Sequence, residues 1–377
     1  PGVLRGEKKQ YLMETNLGKS SWAEWKEWVE ESTDDLPDTE GLKAVWDNLP
    51  ELSPPLIAGV LRQGHKMLLA GPSKAGKSFA LIELCISIAE GKKWLGFSCA
   101  QGKVLYVNLE LDRASCLHRF RDVYDALAWK PDNLQNIDIW NLRGRSVPMD
   151  KLAPKLIRRA AKKGYLAVII DPIYKVITGD ENSADQMAAF CNQFDKVCTE
   201  LGCAVIYCHH HSKGAQGGKR SMDRASGSGV FARDPDALLD LIELEVTEPL
   251  RTQEENKAVC CTCIKALEQK GFDDYSQDDA CSATQMKAIV QNVLSGPEKA
   301  ALELSLAQAK KAVQQRTAWR IEGTLREFPR FPPVNLWFDF PVHLADDSGA
   351  LGDLSADDGF NSKGSPWQKN FQKQKTP

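Results

Sequence analysis

The stretch MLLAGPSKAGKSFALIEL, residues 67–84, decides the fold. Met67 to Ala70 is a short apolar run of the kind that forms a buried strand. Gly71-Pro72-Ser73-Lys74-Ala75-Gly76-Lys77-Ser78 then fits G-x-x-x-x-G-K-[ST] in full. Beyond it, Phe79, Leu81, Ile82, Leu84, Cys85 and Ile88 recur with a helical period. Strand, glycine-bearing bend and helix N-terminus together form a phosphate site, because backbone N–H groups and the helix dipole converge on an anion there. Gly71, Pro72, Ser73, Lys74, Ala75, Gly76, Lys77, Ser78 and Phe79 are the candidate nucleotide-binding residues. Lys77 has the reach for the β- and γ-phosphates, and the Ser78 hydroxyl is a ligand for Mg²⁺. The expected cofactors are therefore ATP and Mg²⁺.

Outward from this loop, strands are expected at 66–70, 103–109, 136–141, 166–171, 203–208 and 237–245, with helices at 77–90, 112–127, 150–162 and 183–201 between them. Such alternation builds an α/β fold with a mostly parallel twisted sheet flanked by helices. Ligands in such sheets bind beyond the strands' carboxyl ends. Two acids fall there. LAVIIDP (166–172) is an apolar strand tipped by Asp171, suited to organising Mg²⁺ through its water shell while Ser78 ligates it. KVLYVNLELD (103–112) ends in Glu110, placed to orient a water for attack on the γ-phosphate. Its rival Asp112 reads as a helix N-cap.

AVIYCHHHSKGAQGGKRSMDRASGSGVFARDPD (204–236) runs a strand into three histidines and a cationic, glycine-rich loop. In extended backbone His209 and His211 point one way and His210 the other, so the three do not close round one metal ion. A strand-end reporter of nucleotide state is the better role, with His209 and His210 as candidates. The loop's cations, Lys213, Lys219, Arg220 and Arg224, suit a nucleic-acid backbone, a trans-acting finger into a neighbouring subunit's nucleotide, or solvation alone.

Composition bounds the rest. A formal charge of −3 on 377 residues excludes a wholesale polyanion binder, so any nucleic-acid contact is local. No apolar run is long enough to span a bilayer, and no signal peptide is seen, so no membrane partner is expected. Eleven scattered cysteines read as a reduced, cytoplasmic protein without a zinc-ribbon or thioredoxin pairing. Beginning at Pro1-Gly2 without methionine, the chain is expected to be a fragment or processed product. The expected organisation is an N-terminal polar and helical segment at 1–50, with Trp22, Trp25 and Trp28 on one helical face. An ATPase core at 51–248 follows, then a helical insertion and C-terminal strands at 249–345, and a disordered tail at 346–377.

Taken together, Gly71–Ser78, EGKKWLGFSCAQGKVLYVNLELD (90–112), VIIDP (168–172) and HHHSKG…DRASGSGVFARDPDA (209–237) resemble the RecA-like P-loop ATPases of the RepA hexameric-helicase group, AAA-family ATPases of mobile elements. The resemblance covers about residues 50–245. It implies a RecA-like core, a homo-hexamer with ATP sites between subunits, and DNA-dependent hydrolysis on plasmid, phage or integrated-element DNA. Single-stranded DNA would lie in a central channel lined by the loops at 174–185 and 212–229, with Tyr174 and Phe231 as a thin aromatic supply. By position, the resemblance implies phosphate-loop roles for Lys77 and Ser78, a catalytic acid at Glu110 and a Walker B acid at Asp171, with His209 and His210 matching paired histidines. The group's trans-acting arginine sits in an A-S-R-G-S setting. Here the order is Arg224-Ala225-Ser226-Gly227-Ser228, so Arg224 is displaced, and Lys213 and Arg233 stand as alternatives. The resemblance names no loader or replication partner. A DNA translocase or helicase-type ATPase is the leading expectation. A recombination mediator or loader without unwinding, and a nucleotide-gated regulator of a protein, are the others.

Overall fold

A computed structural model of the chain describes residues 38–145, 147–177, 179–180, 183–210 and 229–356. The expected tryptophan helix, Lys213, Lys219, Arg220, Arg224, His211 and the tail beyond Ala356 lie outside them; residues 346–356, expected as the start of a disordered tail, are described, with Leu351 buried and Ala356 bridged to Leu244. The chain divides after Leu52. The first unit has one described helical turn, Leu42–Val45.

The second unit is built on a nine-stranded sheet. In chain order its strands are β1 (Lys66–Gly71), β2 (Lys103–Asn108), β3 (Ile137–Asn141), β4 (Tyr165–Asp171), β5 (Ala204–His210), β6 (Ala237–Leu244), β7 (Thr317–Leu325), β8 (Val334–Asp339) and β9 (Val342–Ala345). They lie in the order β9-β8-β7-β6-β1-β5-β4-β2-β3. From β6 to β3 every pairing is parallel. From β6 out to β9 every pairing is antiparallel. β1 is buried along its whole length, as its unbroken apolar run requires of a strand covered on both faces.

Helices α1 (Lys77–Glu90) and α2 (Arg113–Ala126) cover one face, and α3 (Met149–Ala160) and α4 (Ala184–Leu201) the other. α3 shows how sequence makes such a cover. Met149, Leu152, Ala153, Leu156 and Ala160 fall on one stripe and are all buried, while charged residues take the outer side. A fully buried aliphatic side chain of this kind contributes about 1.5–3 kcal/mol. α1 ends at Gly91 and α4 at Gly202, each in the left-handed conformation that closes a helix. The expected strands and helices of the core thus recur within a few residues of their expected limits.

The C-terminal third brings both a separate bundle and a return to the sheet. Helices α5 (Glu248–Gln269), α6 (Ala283–Val293) and α7 (Gly296–Gln315) bury their own core, with Cys263, Leu267 and Met286 at its centre. Ser295 and Glu298 form a capping box at the start of α7. The C-terminal strands expected within 249–345 are present as β7, β8 and β9. They belong to the same nine-stranded sheet: β7 lies along β6 from Ala237↔Leu325 to Leu244↔Ala318. All eleven cysteines are free. Among the described residues no helix is long and apolar enough to cross a membrane.

Candidate active site at the phosphate loop

Register decides which residues meet. At the carboxyl ends of the parallel strands, Gly71 lies beside His210, and Asn108 lies between Asp171 and Asn141. The loop from β1 to α1 arches over this row. Gly76 holds φ +73°, a conformation open to glycine and costly for other residues. A cavity of about 560 Å³ lies over the loop, lined by Lys77, Ser78, Glu110, Asp171 and His210 among others.

Lys77 is buried, and its ammonium donates to the carbonyls of Gly71 (2.9 Å) and Pro72 (2.6 Å). Burial pushes its pKa down, while Cys208, Asp171 and Glu110 pull it back. His210 Nδ1 lies 3.3 Å from Lys77 Nζ and 3.5 Å from Ser73 Oγ. His209 faces the opposite side of the sheet, edge-on to Phe231 at 5.0 Å. Strand alternation splits the two histidines, and of the pair only His210 lines the cavity.

Asp171 is buried at the end of β4 with both oxygens engaged. Tyr106 donates to Oδ2 at 2.5 Å and the Cys208 thiol to Oδ1 at 3.1 Å. Burial, with the carboxylate alongside, holds the Tyr106 phenol and the Cys208 thiol well above their ordinary pKa values, so both stay protonated donors. Glu110 is exposed at the rim of the same cavity and accepts from Tyr174 at 3.2 Å. The turn that carries it is tied down by buried Asn108. That side chain accepts from the N–H groups of Glu110 and Leu111 and donates to Leu111 O and Asn141 Oδ1. Asp112 caps α2, accepting from Ser115 N at 3.0 Å.

The donor set fits Mg²⁺ held mainly by nucleotide. Nearest the helix N-terminus it offers the Ser78 hydroxyl, with Asp171, hydrogen-bonded on both oxygens, and Glu110 as the cavity's carboxylates. Among the described residues no group of three or more His, Cys, Asp and Glu could cage a metal. Mg²⁺ keeps several waters and takes one or two protein ligands beside phosphates.

Sequence reading missed Tyr106, Asn108 and Cys208. A weak signal exists for the first two, which are the polar members of one face of β2. It also passed over a C-x-x-C spacing, Cys260-Cys261-Thr262-Cys263. This lies inside α5, where Cys260 and Cys263 are buried in the bundle and burial pushes the Cys263 thiol up to about 11. One further expectation is corrected. Phe231 packs against Tyr207, Phe190 and His209 and is 1% exposed, so it offers no ring to a DNA base. Arg233 ends a short helix, Gly229–Arg233, with an exposed side chain.

Burial, with His210 and Lys77 nearby, lowers the His209 pKa to about 4. An unfolded chain protonates this residue near 6.5. Between these values the unfolded state binds more protons, so stability falls as pH drops from about 6.5 to about 4, by up to about 3 kcal/mol from this residue. Urea unfolding across that range should show a pH slope that His209→Gln reduces.

Residues 36–216 match a family model described as an AAA domain. Two solved structures are similar in outline. A KaiC-like protein from the hyperthermophilic archaeon Pyrococcus horikoshii OT3 is 13% identical, with 77% of this chain and 93% of that one covered at a TM-score of 0.40. The other, described as an ATPase domain, is 12% identical, with 86% of this chain and 97% of that one covered at a TM-score of 0.43.

Proposed function

We propose that this chain, whose core is a RecA-like P-loop ATPase, hydrolyses ATP to move along or unwind DNA for a plasmid, phage or integrated element. The observation carrying the ATPase part is one cavity that holds Lys77, Ser78, Glu110 and Asp171 together over a glycine-held loop. The triphosphate binds along the loop's N–H groups. Lys77 transfers its hydrogen bonds from Gly71 O and Pro72 O to phosphate oxygens. Glu110 orients the attacking water and takes its proton. Ser78 would hold Mg²⁺ and Asp171 would act through its waters; when bound, the ion would supply positive charge against that developing on the phosphates. His210, in reach of both Lys77 and Ser73, reports the state of the loop along β5 to the segment that follows.

The DNA part rests on the resemblance of the four motif stretches to the RepA group, and includes a homo-hexameric ring. Arg224, or in its place Lys213 or Arg233, would act from the neighbouring subunit. Eleven free cysteines accord with a working life in a reducing cytoplasm. A DNA-stimulated ATPase assay with single strands and a forked duplex tests the reading. Turnover should rise with single-stranded DNA, the fork should open, and both should weaken with salt. Stimulation without opening would mark a loader, and turnover indifferent to DNA would mark a regulator of a protein partner.

A further inference from the structure

The cavity does not end at the phosphate loop. Its far wall is made by residues more than two hundred positions away, on the β8–β9 hairpin, and these are aromatic. Phe340 at the hairpin turn is 71% exposed, Phe338 lies beside it, and both line the cavity with Phe79 and Arg119. Phe340 stands edge-on to Phe79 at 5.1 Å and to Phe338 at 6.4 Å. The Arg119 guanidinium lies over Phe79 at 4.6 Å. The polar lining residues are otherwise those of the phosphate end and the strand tips.

The hairpin is locked against the loop. The His343 N–H donates to buried Glu83 on α1 at 3.1 Å, and its ring Nδ1 lies 2.7 Å from the same oxygen. A Cβ at Gly76 would meet the His343 ring at 3.1 Å and the Phe338 ring at 3.2 Å. The aromatic wall is thus already formed, at a set distance from the phosphate loop.

From this we infer that the β8–β9 hairpin supplies the nucleobase platform, with the base stacked on Phe340 and flanked by Arg119, and with purine triphosphates accepted without strong choice between adenine and guanine. The inference rests on the phosphate-loop reading above and adds the class of base. An exposed ring in a continuous cavity offers a π-face, and every base has one to match it. Arg119 adds a planar cation that stacks on a base as readily as on Phe79. Discrimination between bases needs hydrogen-bonding groups that a wrong base leaves unpaired. The platform's rings supply none, and the N–H groups of Arg119 can find an N3 or N7 acceptor on either purine.

Binding of ATP, GTP and inorganic tripolyphosphate, each with Mg²⁺, to the full chain and to Phe340→Ala, Arg119→Ala and Lys77→Ala tests this. The intact chain should bind ATP and GTP within about threefold of one another, and tripolyphosphate about tenfold more weakly. Phe340→Ala should bring ATP down to the tripolyphosphate level and leave tripolyphosphate unchanged. Its exposed ring makes a folding defect easy to exclude by an unchanged melting temperature. Arg119→Ala should act in the same direction. Tripolyphosphate binding with ATP affinity unmoved by Phe340→Ala would overturn the platform alone. A hundredfold preference for ATP over GTP would do the same to its indifference between purines. If Lys77→Ala leaves both ATP and tripolyphosphate binding intact, the phosphate-loop reading fails and the platform falls with it.

Discussion

Lys77→Ala is expected to abolish hydrolysis, with turnover reduced by at least the ~10²–10³ typical of losing one contact to developing charge. The residue's position explains the size of the effect. Its ammonium is buried and already paired with two loop carbonyls, so it enters the reaction without reorganising solvent. Its loss also removes the buried positive charge that Asp171 and Glu110 act on. Nucleotide binding should weaken as well, because the lysine holds phosphate in the ground state too. The helices and sheet should persist, since Lys77 ties only the carbonyls of Gly71 and Pro72 and the ring of His210. Near-normal turnover in a folded variant would refute the phosphate-loop assignment.

Glu110→Gln should separate binding from chemistry. ATP should remain bound while turnover falls by about 10²–10⁴, the usual contribution of a positioned acid or base. Glutamine keeps the length of the side chain and an oxygen for the Tyr174 hydroxyl, but no longer accepts a proton from water. The control is Asp112→Asn, two residues along. Asp112 caps α2 through Ser115 N, and asparagine is an equally good cap, so turnover should stay near normal. Single-turnover hydrolysis and equilibrium nucleotide binding on the two variants check the assignment. A larger effect at Asp112 would reverse the two roles.

The phosphate loop, the six parallel strands and the four helices of the core were readable because each is a local pattern. A spacing of glycines, an apolar run or a 3.6-residue period is complete within about twenty residues. Asp171 and Glu110 were readable for the same reason, as acids at the ends of apolar runs. Their surroundings were not. Tyr106 and Cys208 reach Asp171 because β2, β4 and β5 are sheet neighbours, and nothing in any one strand states that order. Asn108 looked like a polar break in a strand, yet it holds the turn that presents Glu110.

The histidines mark the boundary between the two kinds of information. Alternation along an extended segment told that His209 and His210 face opposite ways. Which of them lines the cavity depended on β1 lying beside β5 with Gly71 next to His210. The aromatic wall lies wholly beyond local reading. VNLWFDFPVHL announces strands, but its strands could have closed a separate domain as easily as extended this sheet. The choice rests on β7 pairing with β6, and on a histidine at 343 finding a glutamate at 83. By itself, then, the sequence determined where the proposed phosphate loop lies, because short-range backbone geometry suffices for that. Tertiary structure alone decided what surrounds that loop, because side chains far apart in the chain become neighbours only through strand order and burial.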